Sequence, residues 1–174
     1  AHALDSVASQ RDVDIEHLVI DGGSRDGTVD LLNARRSQLA HLVSEPDRGI
    51  YDALNKGIAR ARGDVVGFLH ADDVYADARV LADVAGAFAD PTVQAVYGDL
   101  QYVQQDDPSR VIRHWRAGEF SRRRLAWGWM PPHPSLYVRR SWYDRIGGFD
   151  TRYRIAADYF SILQLFSAPY FNAA

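Results

Sequence analysis

Acidic side chains recur in this chain where apolar runs end. Asp21 closes the run Ile15-Glu16-His17-Leu18-Val19-Ile20 and opens Asp21-Gly22-Gly23-Ser24-Arg25-Asp26-Gly27-Thr28. Glu45-Pro46-Asp47-Arg48-Gly49 follows His41-Leu42-Val43-Ser44, and His70-Ala71-Asp72-Asp73 follows Val65–Leu69. Carboxylates gathered at one edge repel one another, and a hard divalent cation, Mn²⁺ or Mg²⁺, offsets that repulsion while bridging to substrate phosphates. Asp72-Asp73 equally suits an N-cap and turn pair ahead of the next helix. Gly22 and Gly23 let backbone approach a ligand, and Asp21 is suited to accept a hydrogen bond from a base N–H. The pattern is neither GxGxxG nor GxxxxGK[ST], which argues against a nicotinamide enzyme or a P-loop ATPase. Asp158 interrupts the mostly apolar Ile155-Ala156-Ala157-Asp158-Tyr159; the plain reading is a first-turn helix acid favoured by the macrodipole.

The elements that must hold these groups alternate. Short β-branched runs at 15–20, 41–44 and 65–69 predict strands, the last apolar enough to be covered on both faces. Helical periodicity covers 28–39, 50–61 (Ile50, Leu54 and Ile58 every four residues), 77–88 with Asp77 as N-cap, 140–146 and 157–166. Residues 93–103 read as a strand broken at Gly98, 135–138 as another, and 106–134 as loop-rich. Repeated βα units imply an α/β fold with a mostly parallel sheet flanked by helices. Ligands of such a sheet bind beyond the carboxyl ends of its strands, where the acids lie.

The 174 residues fit one domain, and the absence of Cys excludes a disulfide framework, a thiolate zinc site and a cysteine nucleophile. No apolar run reaches the roughly 18 residues of a membrane span, and the opening AHALDSVASQ lacks the features of a signal peptide. A soluble, cytoplasmic chain is the expectation. Net charge is −3, but residues 110–154 carry eleven Arg against three acids. Arg122-Arg123-Arg124 beside Phe120, Trp127 and Trp129 suits either a solvated basic face or contact with phosphates or lipid headgroups. Nucleic acid is not expected, since the total charge is negative and no helix-turn-helix or RNA-binding signature occurs.

Taken in order, VIDGGSRDGT (19–28), EPDRGIYDALNKGIARARGD (45–64), FLHADD (68–73), YGD (97–99), HPSLYVRR (133–140), GGFD (147–150) and IAADY (155–159) resemble family 2 glycosyltransferases, inverting nucleotide-sugar enzymes of the GT-A fold. The resemblance runs from about Leu4 to Phe166. It implies a single glycosyltransferase domain over 1–174, with a nucleotide- and metal-binding part (1–105) and an acceptor-side part (106–174). By position, Asp21 resembles the aspartate that reads the base, and FLHADD the DxD-type metal site, with His70 where the family often has an acid or Asn. Asp72 and Asp73 would bind the ribose–diphosphate region and the cation, Arg48 the base or phosphates, and Asp158 would be the catalytic base. His133, Trp127 and Trp129 fall on the acceptor side. The family opens with a strand ending in a Thr/aromatic/Asn-type turn, whereas this sequence opens in what looks like the following helix, so a fragment is expected.

The resemblance implies transfer of a sugar from a nucleoside-diphosphate donor to a saccharide or lipid-linked acceptor hydroxyl, with inversion, in bacterial surface polysaccharide or glycolipid synthesis. It also implies peripheral membrane contact through 110–129 on the inner face. Two other readings suit the same residues: a metal-dependent nucleotidyltransferase or phosphatase, and a nucleotide-binding fragment without turnover.

Overall fold

The computed structural model describes residues 2–174. Strands β1 (Leu18–Asp21) and β2 (His41–Ser44) pair in parallel, Leu18 against His41 through Asp21 against Ser44. Alternation of side chains puts Val19 and Leu42 on one face, where they pack on Leu4 of α1 (His2–Ala8), Leu32 of α2 (Thr28–Ala34) and Leu39. The opposite face of β1 meets α3 (Ile50–Ile58), where Gly57 faces Ile20. This is the helix-flanked parallel arrangement that the βα periodicity predicts.

The second sheet departs from it. Strand β7 (Leu136–Arg139) lies between β3 (Val65–Gly67) and β4 (Ala95–Tyr97) and is antiparallel to both. Both ladders of this sheet are therefore antiparallel, and its central strand comes from the second part of the chain. A side chain on Gly67 would run into the ring of Tyr137, its partner in the ladder, so this position takes only glycine. The main core lies beneath: Val66, Ala95, Leu136 and Val138 pack on Trp142 and Tyr143 of α6 (Arg140–Ile146) and on Ile162, Leu165 and Phe166 of α7 (Ala157–Ser167). Backbone hydrogen bonds from Gln94–Tyr97 to Asn172–Ala174 line the free edge of β4.

Three expectations need correcting. Residues 106–134 are not mainly loop: β5 (Leu100–Gln104) and β6 (Asp107–Trp115) form an antiparallel hairpin, and α5 (Arg122–Ala126) follows. Residues of β6 are exposed on both faces up to His114, so no apolar alternation betrays the strand. The helix after the metal-type loop, α4, spans Val80–Ala87 rather than 77–88. Asp77 instead accepts the Arg79 amide in a turn, while Gln10 Oε1 accepts the first-turn amide of Leu81 from outside the helix. In α3 the inward face is Tyr51, Leu54 and Ile58, and Ile50 is exposed.

The basic block is largely spent on the fold. Arg122 donates to the Ser167 and Ala168 carbonyls at the end of α7, and Arg124 to Glu119 O. Arg139 donates to the Phe88 carbonyl at the end of α4 and to the Asp90 and Val93 carbonyls of the loop that follows, and Arg145 lies over Trp142. Cations placed at helix C-termini interact favourably with the unpaired carbonyls there.

Candidate active site

Asp21 ends β1 only 8% exposed. Its Oδ2 accepts the Gly23 and Ser24 amides and the Ser44 hydroxyl at 2.7–3.0 Å, and its Oδ1 accepts the Ser24 hydroxyl. Burial alone would raise its pKa, but these hydrogen bonds outweigh it and hold the carboxyl at about 2. The carboxylate thus stays ionised and pins the glycine turn, where Gly23 has φ 88°, to the end of β2. Asp47 packs against Gly22, so the loop after β2 lies on the same turn.

Asp72 and Asp73 occupy the loop after β3, closed by an Asp73 amide to His70 carbonyl bond of 3.1 Å. Asp72 is exposed and Asp73 half-buried, and neither forms an ion pair among the described residues. Burial pushes the Asp73 carboxyl up, and the neighbouring Asp72 charge adds to that. A half-buried oxygen donor lacking a counter-charge fits a hard cation. Among the described residues no three His, Asp or Glu side chains cluster as a metal cage.

From this loop an aromatic bridge leads to Asp158. His133, 8% exposed, stacks on Phe68 at 5.7 Å, meets Phe149 edge-on at 5.6 Å and lies 6.2 Å from the His70 ring. Its Nε2 is buried with no hydrogen-bond partner among the described residues. Burial depresses the imidazole to about 4, against the opposing pull of the Asp158 charge nearby. Asp158 is half-buried in the first turn of α7, and its Oδ1 accepts the Tyr51 hydroxyl at 2.9 Å. The structure therefore brings Asp73, His133 and Asp158 into one region, with Asp21 at the end of the neighbouring sheet.

Arg48 and the tryptophans stand apart. Arg48 is exposed and paired with Asp52 at 2.8 Å on the rim of a cleft of about 570 Å³, where Arg152 likewise pairs with Asp150. Trp129 turns inward: its indole donates to Ala117 O at 2.7 Å and its ring packs on Tyr97, Phe120 and Phe166. Of the two tryptophans on the expected acceptor side, only Trp127, 84% exposed, presents its ring to solvent. Sequence reasoning missed Tyr51, Asn55, Phe68 and Phe149. The one signal for the first two was a Tyr and an Asn one turn apart on α3, whose inward face is otherwise apolar.

Carboxylates beyond the ends of β1 and β3 and another opening a late helix match the GT-A fold expected from the sequence. Solved structures bear this out. Superposition on Staphylococcus aureus TarS 1–349 in complex with UDP gives a TM-score of 0.73 at 21% identity, covering 94% of this chain and 49% of that one. The mannosyltransferase PcManGT from Pyrobaculum calidifontis, in complex with GDP-Man and Mn²⁺, gives 0.69 at 26% identity, covering 98% and 48%. The chain belongs to glycosyl transferase family 2, whose sequence profile matches residues 1–152. It is 34% identical over 170 residues to the PGL/p-HBAD biosynthesis glycosyltransferase of Mycobacterium bovis (strain BCG / Pasteur 1173P2), covering 95% of this chain and 64% of that protein. It is 28% identical over 164 residues to the chondroitin synthase of Pasteurella multocida (strain Pm70), covering 93% and 17%. The chain thus spans less than two thirds of the length of these relatives.

Proposed function

We propose that this glycosyltransferase moves a sugar from a nucleoside-diphosphate donor to an acceptor hydroxyl with inversion, with Asp158 as the base. The observation that carries the reading is the arrangement of Asp73 and Asp158 around one buried aromatic bridge, His133 with Phe68 and Phe149. The acceptor oxygen bonds to the anomeric carbon from one face as the bond to the diphosphate breaks on the other. Asp158 takes the acceptor proton, and the nucleoside diphosphate leaves. A divalent cation held by Asp73 and Asp72 together with the diphosphate would neutralise charge at the leaving group. Asp21 would fix the turn on which the base is read, through its bonds to the Gly23 and Ser24 amides. GDP-Man with Mn²⁺ in PcManGT and UDP in TarS support a nucleotide-sugar donor, and the relation to chondroitin synthase supports a saccharide acceptor.

The test is a thermal-shift panel of UDP, GDP and dTDP, each with and without Mn²⁺, on the intact protein. A ligand at a hundred times its Kd stabilises by about 2.7 kcal/mol. One nucleotide is expected to give that shift only with the metal, and Asp73→Ala to remove the metal-dependent part. An equal response to metal in Asp73→Ala would place the cation elsewhere. Release of nucleoside diphosphate, rather than pyrophosphate or inorganic phosphate, separates a transferase from a nucleotidyltransferase or phosphatase.

The same proposal places the enzyme in the cytoplasm, touching the inner membrane face through 110–129. Trp127 and Ile112 are exposed there, and Arg123 makes no ion pair among the described residues. No helix among the described residues is long and apolar enough to cross a membrane. Co-sedimentation with anionic vesicles is expected, and to weaken several-fold in Trp127→Ala. Equal sedimentation of the two proteins would exclude Trp127 as the contact.

A further inference from the structure

We infer that Tyr51 is a positioning residue for the reaction, holding the Asp158 carboxylate in the orientation that accepts the acceptor proton. The inference rests on the reading of Asp158 as the base. The Tyr51 hydroxyl donates to Asp158 Oδ1 at 2.9 Å, across 107 residues of sequence. Oδ2 accepts no hydrogen bond among the described residues, so one carboxylate oxygen is fixed and the other is left for an incoming hydroxyl. An Asp side chain in the first turn of a helix otherwise rotates between staggered wells. The hydrogen bond selects one of them.

The Tyr51 ring is itself held. It stacks on Phe149 at 5.8 Å and 27°, and Phe149 is gripped through its backbone by Asn55, one turn further along α3. Asn55 Nδ2 donates to Phe149 O and Asn55 Oδ1 accepts Phe149 N, both at 2.8 Å, as a neighbouring strand would. A side chain at Gly148 would strike that amide. At its other end α3 is tied to the loop after β2 by Lys56, whose Nζ lies 3.0 Å from Glu45 Oε1 and 3.1 Å from Pro46 O. From the other side, Ala156 takes φ 69° to make the turn into α7. A left-handed alanine persists only where surrounding structure over-determines it. The base is thus fixed from a helix that also reaches the nucleotide-side loop.

Tyr51→Phe keeps the ring on Phe149 and deletes only the hydroxyl. In the intact protein kcat is expected to fall about tenfold to a hundredfold, the range one hydrogen bond to a charged group carries. Donor KM and Tm should stay near the wild-type values. In an Asp158→Asn background the same change should cost less than about twofold, because residues acting as a unit are non-additive. Losses that multiply in the double variant would show that Tyr51 acts independently of Asp158, and a large fall in Tm would reduce it to a packing residue. Wild-type kcat in Tyr51→Phe beside a crippled Asp158→Asn would overturn the positioning role alone. Wild-type turnover in Asp158→Asn would overturn the assignment of the base and, with it, this inference.

Discussion

Asp158→Asn is expected to lower kcat by about 10²–10⁴-fold, the contribution of a positioned general base, while nucleotide-donor affinity stays within about twofold. Asparagine keeps the shape of the side chain, and its carbonyl oxygen can still accept the Tyr51 hydroxyl that reaches Oδ1 in the native site. What it loses is basicity. Asp158 opens α7 while the proposed cation loop follows β3, so donor binding provides an internal control. Steady-state kinetics with donor titrated at saturating acceptor separates the two quantities. A fall in donor affinity as large as the fall in kcat would place Asp158 in the donor site instead.

The second large effect is on stability. His133 is buried and neutral in the native protein, with its imidazole depressed to about 4 from an ordinary 6.5. Between those values the unfolded chain binds the proton that the native one refuses, so stability rises with pH across the window. The contribution is complete above pH 6.5 and is lost as pH falls through 4. It amounts to roughly 3 kcal/mol. Half-buried His17 is shifted downward by burial too and adds to the same window, while the Asp73 carboxyl, shifted upward, works in the opposite sense. The difference between two proteins removes both. His133→Phe places a similar ring beside Phe68 and Phe149 without the orphan Nε2, and should flatten the dependence of Tm on pH between 4 and 6.5. Parallel curves for the two proteins would mean that His133 takes up its proton without cost in the fold.

Local pattern carried much of this molecule. Residues 41–44 read as a strand and are one, and the helix from Ile50 starts where its periodicity starts. Those elements are half-covered, so burial writes a period into the sequence. The β6 arm of the hairpin has water on both faces and leaves no such trace. Among site residues, Asp21, Asp73 and Asp158 stood out because a carboxylate ending or breaking an apolar run needs a reason. Tyr51 and Asn55 did not, because their partners lie 107 and 94 residues away and neither type is unusual in a helix. The Arg-rich block is clustered in sequence but dispersed in space, since Arg122 and Arg139 each donate to the last carbonyls of a different helix.

The central position of β7 bears on how the chain can be made. β3 and β4 leave the ribosome early, yet each finds its ladder partner only in Leu136–Arg139, far downstream. Contacts of such sequence separation raise contact order and slow folding, since loop closure must precede any return. Until β7 arrives, the strand that carries the Asp72-Asp73 loop has no partner along the edge that β7 fills, an open template for other chains. The chain up to β6 therefore lacks a ladder partner that β3 needs: the loop proposed to hold the cation is set in place by a strand synthesised after the β5–β6 hairpin.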